Sequence, residues 1–92
     1  VRESRIEKRL VEMVRRSEGI AMKLTSPANA GVPDRLVLMP GGAMLFVEIK
    51  APGQKLRKLQ AHWFDLLESL GFRCEMVDSF EGVDRIVSGF KK

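Results

Sequence analysis

The chain has 92 residues, 45% of them hydrophobic and 30% charged, with 16 Lys and Arg against 12 Asp and Glu for a formal net charge of +4. These are the proportions of an ordinary globular protein, and one domain of this length buries only about 60% of the surface its unfolded chain exposes, so its core is modest. No apolar run approaches the ~20 residues that cross a bilayer, and the mild basic excess suits a polyanionic partner without specifying one.

From Glu3 to Glu18, Ile6, Leu10, Met13 and Val14 recur at helical spacing, which predicts a charged helix with one apolar stripe, ended by Gly19. Ile20 to Leu24 reads as a short strand, and Thr25 to Pro33, rich in Ser, Pro, Asn and Gly, as a loop. Arg35 to Met39 and Ala43 to Lys50 are apolar runs joined through Pro40, Gly41 and Gly42, a hairpin signature. After the break at Pro52 and Gly53, Leu56, Leu59, Trp63, Leu66, Leu67 and Leu70 mark an amphipathic helix closed by Gly71. Phe72 to Val77 is a last strand, on which the single Cys74 reads as a small buried hydrophobe. One unpaired cysteine suits a reducing, cytoplasmic setting. Val83, Ile86, Val87 and Phe90 form the stripe of a terminal helix. The order is α-β-β-β-α-β-α, an α/β domain with a mixed sheet and helices packed on it.

Two strands carry charge where a core strand should be apolar. Alternation puts Leu45, Val47 and Ile49 on one face of their strand and Met44, Phe46, Glu48 and Lys50 on the other. Both faces begin apolar, so the strand is expected to be central, and a carboxylate and an ammonium buried there are costly unless they pair or bind something. A three-residue loop at Pro40-Gly41-Gly42 pairs Met39 with Ala43 and hence Asp34 with Glu48, with Lys50 one pleat further along the same face. A two-residue loop would send Asp34 to the opposite side. In the first register the two like charges repel at close range, and a divalent cation held by one or two carboxylates and several waters removes the conflict. A plain surface ion pair between Glu48 and Lys50, with Asp34 in a turn, fits the spacing equally well. Glu7, at the margin of the first helix's stripe, is placed either to add a carboxylate or to remain an exposed helix charge. Gln60, on the second long helix, stands in the same position of two readings. Lys55, Arg57 and Lys58 cluster just beyond the carboxylates, which suits contacts to a phosphate backbone as well as a solvated helix start. His62 stands alone, and no Ser-His-Asp set, phosphate-binding Gly loop or zinc pattern occurs.

Gly31-Val32-Pro33-Asp34-Arg35, then Glu48-Ile49-Lys50-Ala51-Pro52-Gly53, and finally Leu59-Gln60 resemble the PD-(D/E)xK nuclease signature, and more narrowly the virus-type replication–repair nuclease (VRR-NUC) domain. The resemblance spans nearly the whole chain. It implies an endonuclease-type fold and a Mg²⁺- or Mn²⁺-dependent attack of water on a DNA phosphodiester. Asp34 and Glu48 would be metal ligands, helped by the Ile49 backbone carbonyl, and Lys50 would serve the nucleophile or transition state. Glu7 would be the helix-borne acid and metal ligand, and Gln60 a supporting polar residue. Stand-alone members of this size, from phages and bacteria, resemble Holliday-junction resolvases and act as homodimers, whereas larger relatives such as the Fanconi-associated nuclease cut flaps. The expectation is therefore a structure-selective DNA endonuclease of the host cytoplasm with no membrane partner. The competing reading is a non-cleaving nucleic-acid-binding module that keeps the nuclease fold. A sequence-specific restriction enzyme on this fold would need more chain for major-groove readout.

Overall fold

The computed structural model describes residues 1–90. Its elements run α1 (Glu3–Arg16), β1 (Ile20–Lys23), β2 (Arg35–Leu38), a 3₁₀ turn (Pro40–Gly42), β3 (Met44–Ile49), α2 (Lys58–Ser69), β4 (Cys74–Val77) and α3 (Phe80–Ser88). The α-β-β-β-α-β-α order is the one the hydrophobic pattern predicts. The sheet order is β1-β2-β3-β4. β1, β2 and β3 pair antiparallel, and β4 returns parallel to β3 after the α2 crossover. The strand bearing the charges is thus central, as its two apolar faces require.

The hairpin takes the three-residue form. Arg35 faces Val47 and Leu38 faces Met44, and the Met39 N–H closes the turn onto the Ala43 carbonyl at 2.8 Å. Extending this pairing by one residue sets Asp34 opposite Glu48.

One face of the sheet carries the core. Ile6, Leu10 and Val14 of α1 and Val83, Ile86 and Val87 of α3 pack with Val37, Leu45, Val47, Ile49 and Val77. Arg9 ties α1 to α3 through a two-pronged pair with Asp84, at 2.9 and 2.8 Å, and lies over the Phe80 ring. The second face is covered by α2. Phe46 and Phe72 meet edge to face there, but the cover is partial. No α2 side chain is fully buried, and Leu59, Leu66 and Leu70 are exposed. The apolar spacing of α2 therefore exceeds what the sheet beneath it takes up. Cys74 is buried on β4 as expected, and burial, with Glu68 and Glu75 nearby, pushes its thiol up to about 11, which keeps it protonated and unreactive near neutrality.

Several boundaries move. The Gly19 expectation is corrected at its cause. The residue that turns α1 off is Glu18, at φ 65°, with the Gly19 N–H reaching back to Val14 and the Glu18 N–H to Arg15, the paired bonds of a Schellman ending. Gly19 is needed for room, because a Cβ there would sit 2.6 Å from both the Leu38 carbonyl and the Met39 sulfur. α2 begins at Lys58 rather than Leu56. α3 begins three residues before Val83, because the Ser79 hydroxyl accepts the Gly82 N–H and starts the helix there.

Candidate active site

Asp34 leaves the 25–33 loop just before β2, and Glu48 and Lys50 lie at the end of β3, on the face that α2 covers. Asp34 Oδ2 accepts the Ile49 N–H at 2.9 Å. The side chain of Asp34 thereby continues the hairpin ladder past Arg35, the first β2 residue, and is pinned beside Glu48. Glu48 is 3% exposed and Lys50 7%. Lys50 Nζ stands 4.0 Å from Glu48 Oε2, so the ammonium is near the carboxylate without a short bond to it. The closer partner of that oxygen is Gln60, whose Nε2 donates to Glu48 Oε2 at 2.9 Å.

Gln60 is set by the start of its own helix. Its Oε1 accepts the Arg57 N–H at 2.8 Å, capping one of the free amides that open α2. This one amide therefore both closes the helix and holds Glu48. Gly31, at φ 91°, brings the preceding loop against Leu59, and a Cβ there would lie 2.8 Å from the Leu59 side chain. Pro33 is fully buried and delivers Asp34. The Gly and Pro of the Gly31-Val32-Pro33-Asp34 segment are thus packing requirements of the site.

Glu48 Oε1 is buried and has no hydrogen-bond partner among the described residues. Burial first, and the Asp34 charge second, push the Glu48 carboxyl up to about 7, against a smaller opposing pull from Lys50. A buried acceptor without a donor costs about 1–3 kcal/mol, and a carboxyl that holds its proton near neutrality holds a site that a cation can take instead.

A protein named "Putative nuclease p44", from Acyrthosiphon pisum secondary endosymbiont phage 1, is 48% identical over 79 residues, spanning 86% of this chain and 85% of that protein. A solved structure titled VRR_NUC domain superposes with a TM-score of 0.89 at 29% identity and covers 96% of both chains. The VRR-NUC domain family model matches residues 2–81. The chain belongs to the VRR-NUC family. As a VRR-NUC domain it is a nuclease, and its substrate is nucleic acid.

Within this VRR-NUC domain, Asp34, Glu48, Lys50 and Gln60 come together, and Ile49 joins them through its amide. Glu7 stands apart from them. It accepts Arg35 Nε at 2.9 Å, with Lys23 Nζ at 3.9 Å. Arg35 also donates to the Ala21 carbonyl. Arg35 follows Asp34 directly, so strand alternation turns it to the α1 face while Asp34 turns to the α2 face. Glu7 goes with Arg35, and among the described residues no three His, Cys, Asp or Glu side chains converge on one metal position. Lys55, Arg57 and Lys58 are exposed on the segment that opens α2, and the Arg57 amide is the one that orients Gln60. Arg35 escaped the sequence reading, although a charged residue next to Asp34 on the core-facing side signals a buried partner. Asp78 escaped it as well. Its carboxylate accepts the Gly53 N–H and holds the turn that follows Lys50. No described helix is long and apolar enough to cross a membrane.

Proposed function

We propose that this nuclease is a divalent-metal-dependent DNA endonuclease, with Asp34 and Glu48 holding Mg²⁺ or, as a substitute, Mn²⁺. The observation that carries the reading is the partnerless Glu48 Oε1, buried beside Asp34. Two carboxylates with retained waters suit a small, hard cation that seldom takes an all-protein cage, so the donor set fits. When bound, such an ion supplies a Lewis acid for the phosphate oxygens and for the attacking water.

The chain's own groups do the rest. Gln60 and the Ile49 amide fix one oxygen each of Glu48 and Asp34, which leaves the second oxygen of each to the cation with little reorganisation. Lys50, shielded from water, directs its ammonium to the nucleophile or to the charge that develops on the phosphoryl oxygens. The Ile49 carbonyl is a further donor in this reading. Lys55, Arg57 and Lys58 take the flanking phosphates. Glu7 contributes by holding Arg35 at the foot of β2.

We place branched DNA, such as a four-way junction, as the substrate, and a homodimer as the acting form, in the cytoplasm of the host. The exposed Leu66, Leu70 and Phe72 at the end of α2 support a self-complementary surface, and a two-fold dimer matches a two-fold junction. Cleavage of duplex, flap, four-way-junction and single-stranded DNA with each metal tests the proposal. Cutting is expected only with metal, fastest on the junction, and lost in Asp34→Ala and Lys50→Ala with the circular-dichroism spectrum unchanged. Undiminished cutting by both variants, or cutting in EDTA, refutes it. Light scattering at micromolar concentration checks the dimer.

A further inference from the structure

The α2 face holds a second feature that the carboxylates do not use. A cleft of about 250 Å³ lies between the 25–33 loop, β3 and α2, lined by Leu24, Ser26, Val32, Pro33, Phe46 and Trp63, with Asn29 and Leu67 completing the wall. No side chain of the described residues fills it. Its walls are one step from the site on three elements. Pro33 immediately precedes Asp34. Phe46 lies two residues before Glu48 on the same face of β3, about 7 Å along the strand. Trp63 lies one turn beyond Gln60 on α2. A strand whose phosphate sits at Asp34 and Glu48 therefore brings its neighbouring nucleotide to the mouth of this cleft.

We infer that the cleft receives one unpaired nucleobase of the bound strand, next to the phosphate that is cut. The inference rests on the proposed phosphodiester site and adds the substrate feature that site selects. The cavity is below the ~300–1,000 Å³ of drug-sized sites, which leaves room for a single ring system. Two aromatic rings and aliphatic walls offer a π-surface and dispersion contact to any base. Its polar members are few, as in pockets that orient a flat ligand. Asn29 Nδ2 donates to Ser26 Oγ at 3.0 Å, which leaves the Asn29 carbonyl oxygen and second amide proton for a base edge. Trp63 is fixed by its own bond, with Nε1 donating to the Ala30 carbonyl at 3.0 Å. The ring and the loop that faces it are thus held apart at a set width.

A base inside a duplex cannot enter. It has to be unstacked and unpaired first, at a cost of a few kcal/mol that a flap, junction or frayed end has already met. The cleft thus gives a 92-residue chain a way to prefer distorted DNA without the additional surface that sequence readout needs.

Trp63 is the chain's single tryptophan, so its fluorescence reports the cleft directly. The test titrates the intact chain, without metal, with a short single-stranded oligonucleotide, the same strand made wholly of abasic sugar-phosphate, and the perfect duplex. The base-bearing single strand is expected to quench Trp63 and to bind about 5- to 150-fold tighter than its abasic counterpart, with little quenching by duplex. Leu67→Phe, which narrows the cleft, should remove this difference while abasic binding persists. Equal quenching by base-bearing and abasic strands, or by duplex and single strand, overturns the inference. Because the readout needs no cation, quenching without Mg²⁺-dependent cutting counts against the metal reading alone. Cutting without quenching counts against the base cleft alone.

Discussion

Replacing Glu48 by Gln removes a charge while keeping the shape of the side chain, and the outcome turns on how that charge is held. The folded state pushes the Glu48 carboxyl from 4.5 up to about 7. For an acid shifted upward, the unfolded chain gives up its proton first. The site therefore costs nothing below about pH 4.5, and its cost grows between 4.5 and 7 and is complete above 7. A gap of this size amounts to about 3 kcal/mol at the conversion of ~1.36 kcal/mol per pH unit. Glu48→Gln should recover part of this above pH 7, about 1–3 kcal/mol, because the amide still accepts Gln60 Nε2 and can donate to Asp34. For a domain of this size each kcal/mol moves Tm by ~4–8 °C, so the metal-free variant should melt about 10 °C above the parent at pH 8.5 and level with it at pH 4. Added Mg²⁺ should raise the Tm of the parent, most at high pH, and leave the variant unmoved and inactive. Thermal melts by circular dichroism in EDTA and in Mg²⁺, at both pH values, decide the matter. A variant that melts below the parent at pH 8.5 without metal would refute the reasoning, since the carboxylate would then be stabilised where it stands.

Glu7→Gln weakens a charge-assisted bond to Arg35 and should cost about 1–3 kcal/mol, seen as a lower urea midpoint. The Mg²⁺-induced rise in Tm should survive it, and its loss would instead place Glu7 at the metal. Lys50→Met keeps the apolar stem and removes the ammonium; it should lower kcat about 10²- to 10³-fold with DNA affinity nearly unchanged, measured by single-turnover cleavage against anisotropy. Replacing Lys55, Arg57 and Lys58 together by Gln should flatten the dependence of log Kd on log salt by about 2–3 in binding titrations with duplex, and a slope equal to the parent's would remove these residues from the DNA interface. Gly19→Ala should destabilise the domain by about 1–3 kcal/mol, read from the same urea midpoint, because the added methyl meets the Leu38 carbonyl.

Much of this arrangement is legible in local pattern. Period-two alternation along residues 44–50 separates Glu48 and Lys50 from the core-facing Leu45, Val47 and Ile49, and the Pro40-Gly41-Gly42 loop sets the register that brings Asp34 across. Both facts depend on neighbours in the chain, so a sequence carries them openly. The position of Glu7 depends on something else. Helical spacing puts it at the edge of the α1 stripe, but whether it meets the carboxylates or Arg35 is settled by which side of β2 that edge overlies. Gly19 shows the same limit. Its location at a helix end suggests a left-handed turn, whereas its actual role comes from β2 passing close by. The excess apolar surface of α2 and the cleft beside Trp63 are likewise products of packing between distant segments, and periodicity reports only that a helix has an apolar side.

The Gln60 side chain has a consequence for how the proposed catalytic centre comes to be ordered. Its carbonyl oxygen is engaged by the opening of a helix and its amide protons by a carboxylate on the central strand. Fraying of the first turn of α2 therefore loosens Glu48, and a cation or phosphate that steadies Glu48 tightens that turn in return. Arg57 and Lys58, the residues proposed to take the flanking phosphates, sit at this same turn, so under that proposal engagement of the backbone and alignment of the carboxylates would be one cooperative event.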